Sequence, residues 1–263
     1  MYLEGSLLAD SFIVGLCLLI VASFVAGFID SVAGGAGLVL VPSFILAGLP
    51  PQIALGQEKL VSTLGTLSAI FNFIRSKKIR WDLVAIGVPA ALIGAYIGAE
   101  AILYLDENTA GKVIVFMMPL GLLFAFLPKR DNDAKVEITS FKKTLLFPSV
   151  ALIIGFYDGF FGPGTGSLLI IALHYIMGLS LVTASATSKI FNFSSNVGAF
   201  LSFFMAGKML FAIGIPMVIA SILGNYLGSH LTVKRGDGFI RPILFGMIFL
   251  LFATLIYKYY FGD

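Results

Sequence analysis

Lys59 and Lys189 stand where a lysine is expensive to keep. Each lies six or seven residues into an expected helix, roughly 10 Å from its end, with Gln57 and Glu58 beside Lys59 and uncharged neighbours beside Lys189. On a helix, Ser62 and Thr63 fall three and four residues after Lys59, and Asn192 falls three after Lys189. Ser188, Ser195 and Asn196 are close by. An ammonium group accompanied by hydroxyl and amide donors suits a small oxyanion better than a cation. An ionisable residue at such depth ordinarily serves an ion or substrate pathway. Two plainer explanations compete with that one. A lysine near a helix end can snorkel to the headgroups, and Ser, Thr and Asn often bond one membrane helix to another. The second is the better account of any single polar residue here, but not of a lysine-centred cluster that occurs twice.

Asp30 and Asp158 occupy matching positions just before two glycine-rich stretches, Gly34-Gly35-Ala36-Gly37 and Gly162-Pro163-Gly164-Thr165-Gly166. Such breaks expose backbone N–H groups at the start of the next helix, and those groups favour an anion together with the helix dipole. The candidate substrate-binding residues are therefore Lys59, Lys189, Ser62, Thr63, Ser188, Asn192, Asn196, Gly35, Gly37, Gly164, Thr165 and Gly166. Asp30, Asp158 and Glu58 are candidate proton carriers, although the two aspartates could equally cap the half-helices that follow them. The glycines could also serve close helix packing. Neither break continues into Gly-Lys-Ser/Thr, so a phosphate-binding P-loop does not fit. His174 and His230 lie in separate segments without cysteine partners, and Cys17 is alone in an apolar run. No metal site, catalytic residue or cofactor is expected.

The elements that must position these residues are membrane helices. The 263-residue chain is 59% apolar and 12% charged, outside the globular range. Ser11 to Ile29 is free of charge and long enough to cross a bilayer core of ~30 Å. No cleavable signal peptide is evident. Uncharged runs between polar breaks predict ten hydrophobic segments: 8–29, 36–48, 54–74, 82–103, 110–127, 144–158, 165–178, 182–206, 210–231 and 240–258. The second and seventh are short, as half-helices entering from a glycine break would be. Basic residues cluster at Arg75 to Arg80, at Lys129 to Lys143 and at Lys234 to Arg241. Ten crossings put all three clusters on the cytoplasmic side and both termini outside.

The two halves repeat each other. Gly27-Phe28-Ile29-Asp30 corresponds to Gly155-Phe156-Tyr157-Asp158 at an offset of 128 residues. Lys59 corresponds to Lys189, Lys78 to Lys208, and Gly94-Ala95-Tyr96-Ile97-Gly98 to Gly224-Asn225-Tyr226-Leu227-Gly228 at an offset of 130. The expected fold is an all-α polytopic membrane protein: repeat one at 1–127, a solvated cytoplasmic linker at 128–143, and repeat two at 144–263. Five segments in each half make the repeats inverted, an arrangement in which transporter sites lie where broken helices meet.

These residues also resemble a known family. Gly27 to Gly35, with Pro42, Gly48-Leu49-Pro50-Pro51 and Ala54-Leu55-Gly56, is similar to the first-half motif of the sulfite exporter TauE/SafE family, membrane transporter proteins of the TSUP type. Gly155 to Ser167 and Ala184 to Asn196 resemble its second half. One departure is Gly56-Gln57-Glu58-Lys59, where many relatives have Thr-Asn before the lysine. The resemblance implies a carrier in the cytoplasmic membrane for small anions such as sulfite, sulfoacetate or related organosulfonates, with protons as the coupling ion. An anion channel using the same lysines and an intramembrane enzyme are the alternatives. The partners expected are the small anion, the bilayer and the coupling proton, and nucleic acid is not among them.

Overall fold

A computed structural model describes residues 6–126 and 145–235. Among these residues the chain is all helix. A single turn, α1 (Leu7–Asp10), is followed by α2 (Phe12–Ala33), α3 (Ala36–Leu46), α4 (Pro51–Arg75), α5 (Trp81–Leu103) and α6 (Glu107–Phe126). After the linker come α7 (Phe147–Phe160), α8 (Thr165–Tyr175), α9 (Leu181–Met205) and α10 (Phe211–Arg235).

Nine of the ten expected segments have counterparts in α2 to α10. The tenth, 240–258, and the linker 128–143 lie outside the described residues. The first segment differs most from its expected bounds: the chain breaks at Ser11 and then stays helical through Asp30 to Ala33. Asp30 does not end the helix because its carboxylate finds partners ahead of it, in the next one. The stop comes at Gly34, with φ of 73°, a conformation that glycine adopts without steric penalty. The start of α4 is set by Pro51 in its first turn. That of α9 is set by Ser180, whose hydroxyl accepts the Thr183 N–H at 3.3 Å. The half-helices α3 and α8 have 11 residues each, about 16 Å of rise and too short to cross a bilayer.

Hydrophobicity is turned outward. Ile13, Phe116 and Met205 are each about three-quarters exposed, whereas Lys59, Lys189, Asn196, Ser195 and Thr66 are buried. In water such an outer surface would be unstable; in lipid it is the solvated face. Three helical stretches, Phe12–Val32, Trp81–Leu103 and Phe211–Lys234, are long and apolar enough to cross a membrane. The 25-residue helices α4 and α9 match them in length, but carry polar side chains on their buried faces.

Packing follows an exchange of halves. α10 packs on α2 as α5 packs on α7, and α10 packs on α4 as α5 packs on α9. The repeated Gly-x-x-x-Gly pairs explain the first two contacts. A β-carbon at Gly94 or Gly98 would lie 2.1 Å from the carbonyl oxygen of Leu152 or Phe156, and one at Gly224 would lie 2.1 Å from that of Phe24. Only glycine lets these backbones approach so closely. α5 and α10 thereby clamp α2 and α7, the helices whose C-terminal ends carry Asp30 and Asp158.

Candidate functional site

Both lysines point inward. Their side chains are 1% exposed, which removes snorkelling to the headgroups as an explanation. Each pairs with the aspartate of the other half. Lys59 Nζ on α4 lies 2.9 Å from Asp158 Oδ1 at the end of α7. Lys189 Nζ on α9 lies 2.9 Å from Asp30 Oδ2 near the end of α2, and also donates to the Asp30 main-chain carbonyl. Lys59 is further ringed by Asn196 Oδ1 at 3.2 Å and by Glu58 Oε2 at 3.0 Å. An ammonium buried this deeply persists only when its charge and its donors are matched.

The carboxylates are held in turn. Asp30 Oδ1 accepts the Gly35 N–H at 3.1 Å and the Ala36 N–H at 3.4 Å, so it caps α3 while its other oxygen faces Lys189. Of the two roles weighed for Asp30 from sequence, proton carrier and cap, the hydrogen bonds show the cap, and the ion pair with Lys189 is a further role that the sequence did not suggest. Thr66 Oγ1 reaches Asp30 Oδ2 at 3.5 Å. Asp158 accepts from Ser195 as well as from Lys59. Glu58 Oε1 accepts from Ser62 at 2.7 Å. Two ammonium groups therefore meet three carboxylates, an excess of one formal negative charge.

The two glycine breaks touch at the centre. A β-carbon at Gly34 would lie 2.5 Å from the Gly166 backbone, and Ser167 donates both its N–H (3.1 Å) and its hydroxyl (3.0 Å) to the Gly34 carbonyl. The N-terminal ends of α3 and α8 thus converge on one small cavity of roughly 10 Å³, about the size of one water. Three carboxylates line it (Asp30, Glu58 and Asp158), with Ser62, Asn192, Asn196, Gly35, Gly37, Thr165 and Gly166. The lysines stand behind the carboxylates, and α3 and α8 bring no charged side chain to the lining.

Most of the expected site residues meet here, and three do not. Ser188 donates to the Ser185 carbonyl of its own helix at 2.8 Å. Thr63 is buried but does not line the cavity. Gly164, with φ of 89°, packs on α6, where a β-carbon would lie 2.7 Å from the Gly121 carbonyl oxygen. Thr66 and Ser195 bond the site carboxylates Asp30 and Asp158 although neither is among the candidate site residues, and Ser167 ties the two glycine breaks together through Gly34. The signal for Thr66 was present, since the 130-residue offset carries it onto Asn196. The histidines do not join the site: His174 Nδ1 lies 2.6 Å from the Leu179 carbonyl, and no cluster suited to a metal ion occurs among the described residues.

A family model described as Sulfite exporter TauE/SafE matches residues 19–255. A Haemophilus influenzae protein described as "Probable membrane transporter protein" is 36% identical over 244 residues, covering 92% of this chain and 94% of the relative. The Escherichia coli K12 "Probable membrane transporter protein YfcA" is 34% identical over 240 residues, covering 89% and 87%. A Sinorhizobium "Probable membrane transporter protein ORF9" is 36% identical over 234 residues, covering 87% of each chain. No solved structure matches.

Proposed function

The chain belongs to the sulfite exporter TauE/SafE family, and we propose that it is a secondary carrier for a small sulfur-containing anion, either an oxyanion or an organosulfonate such as sulfite or sulfoacetate. It works by alternating access in the cytoplasmic membrane, with residues 1–127 and 144–263 as inverted five-segment repeats. The linker 128–143 is cytoplasmic, both termini are outside, and the proton that couples to transport binds within the carboxylate set Asp30, Asp158 and Glu58.

The crossed lysine–aspartate pairing carries this reading. Each lysine belongs to one half and its carboxylate to the other, so moving the halves apart on either side breaks an ion pair. Separating a buried pair without compensation costs about 3–5 kcal/mol, which keeps an empty site closed. An anion that takes the departing carboxylate's place keeps the ammonium matched and lets the halves move. Lys59 is surrounded by oxygens of Asp158, Asn196 and Glu58, and the three oxygens of a sulfite or sulfonate group are suited to replace them. The matching packing of α2 with α10 and α7 with α5 supports two equivalent halves. Closure of the cavity around the volume of one water favours a carrier over an open anion channel.

Flux into proteoliposomes tests the substrate class, using sulfite, sulfoacetate, taurine and thiosulfate in parallel. Flux of sulfite or sulfoacetate above protein-free vesicles is expected. If none of the four exceeds that background, the sulfur-anion assignment is wrong.

A further inference from the structure

We propose that Glu58 alone carries the coupling proton, and that one proton binds with each monovalent anion. This rests on the carrier reading above. Among the charged side chains of the cluster only Glu58 lacks a counterpart, since Lys59 matches Lys189 and Asp30 matches Asp158. The 130-residue offset carries Glu58 onto Ser188, which hydrogen-bonds within its own helix. The excess negative charge of the site is therefore the charge of this one side chain.

The surroundings single out the same residue. Asp30 has an ammonium partner, two backbone N–H donors and Thr66, the environment of an ionised carboxylate. Asp158 has Lys59 and Ser195. Glu58 has Ser62 on one oxygen, and its Oε2 faces Lys59 Nζ at 3.0 Å, an ammonium it shares with Asp158 and Asn196. A buried carboxylate that shares its one cation with a second carboxylate is the place where a proton relieves most of the desolvation cost and the repulsion. The charged groups around Glu58 are Lys59 on its own helix, Asp158 from α7, and Asp30 from α2 across the cavity, itself paired with Lys189 of α9.

The charge balance then fixes the coupling. With its proton, Glu58 leaves the cluster neutral; without it, the cluster is negative and repels a second anion. A monovalent anion arriving with a proton leaves the buried charge as it was in the empty, deprotonated site. Glu58 takes the proton from water reaching the cavity and returns it to water on the other side when the anion leaves.

Infrared spectroscopy of the full chain in phosphatidylethanolamine–phosphatidylglycerol vesicles, with no substrate, reads the proton directly. One carbonyl band of a protonated buried carboxyl should titrate with pH, persist when choline replaces Na⁺, and vanish in Glu58→Gln. It should remain in Asp30→Asn and Asp158→Asn. Should Glu58→Gln not fold, Glu58→Ser installs the residue type of the equivalent site and should lose the same band. A band that survives both Glu58 variants, that is absent from the wild type, or that Na⁺ abolishes at fixed pH overturns the proposal. In the same vesicles, a pH gradient should drive accumulation of radiolabelled sulfite by the wild type and leave Glu58→Gln at an accumulation ratio of unity. If wild-type vesicles carry no sulfite, the functional reading fails while the infrared result still decides where the proton sits.

Discussion

Lys189→Met, combined in turn with each aspartate, tests the crossed pairing at the centre of the protein. The substitution removes the ammonium 2.9 Å from Asp30 Oδ2 and strands a buried carboxylate. Removing one partner of a buried pair costs about 3–5 kcal/mol. Asp30 retains the Gly35 and Ala36 N–H groups and Thr66, which places this loss near the lower end, about 3 kcal/mol. Adding Asp30→Asn removes the stranded charge but keeps an oxygen for the backbone donors, and should recover about 2 kcal/mol of that loss. Adding Asp158→Asn instead strands Lys59 in part, and because Asp158 lines the same small cavity the two changes couple, but any recovery should fall well short of that given by Asp30→Asn. Lys59→Met should cost more than Lys189→Met, because it leaves both Asp158 and Glu58 without their cation. Reversible unfolding in mixed micelles, without substrate, supplies all of these differences. Equal rescue of Lys189→Met by the two aspartate variants, or rescue by Asp158→Asn alone, refutes the crossed pairing.

Gly164→Ala forces a β-carbon toward the Gly121 carbonyl at a φ of 89°, so it should lower stability by about 1–3 kcal/mol while sulfite affinity holds. A fall in affinity at unchanged melting temperature would return the break's N–H groups to the anion site. Gly98→Ala meets the Phe156 carbonyl oxygen at 2.1 Å and should lower the melting temperature well below that of Gly111→Ala, whose β-carbon meets a proline ring at 3.2 Å. Similar melting temperatures would show that α5 and α7 do not depend on this close approach. For orientation, in a Cys17→Ala background, cysteines at Tyr2 and Gly262 should label from outside and one at Lys77 should not; outside labelling at residue 77 inverts the topology.

Much of the architecture was legible because its signals are local. Charge-free runs, Pro50-Pro51 and the two glycine breaks mark helices and half-helices without reference to anything distant. The partners of the lysines were not legible. Lys59 and Asp158 are 99 residues apart, and Lys189 and Asp30 are 159 apart, so only the packing of α2, α4, α7 and α9 decides who meets whom. Helical spacing put Ser62 beside Lys59, but Ser62 is also four residues after Glu58 and bonds that carboxylate instead. Thr63 and Ser188 sit on the correct helices with the wrong azimuth, a distinction of one residue that apolar patterning cannot make on helices buried almost all round. The Gly94/Gly98 and Gly224/Gly228 echo was visible as repetition, and the backbone contacts explain it as the clamp on the site-bearing helices.

Counterflow of radiolabelled sulfite tests the account most directly, in proteoliposomes preloaded with unlabelled sulfite and compared with empty ones. A carrier whose lysines hold the anion should show uptake accelerated by internal sulfite in the wild type, and loss of that acceleration in Lys189→Gln. Uptake indifferent to internal sulfite would identify a channel. Full acceleration in Lys189→Gln would take the lysine, and with it the crossed ion-pair site, out of the transport mechanism.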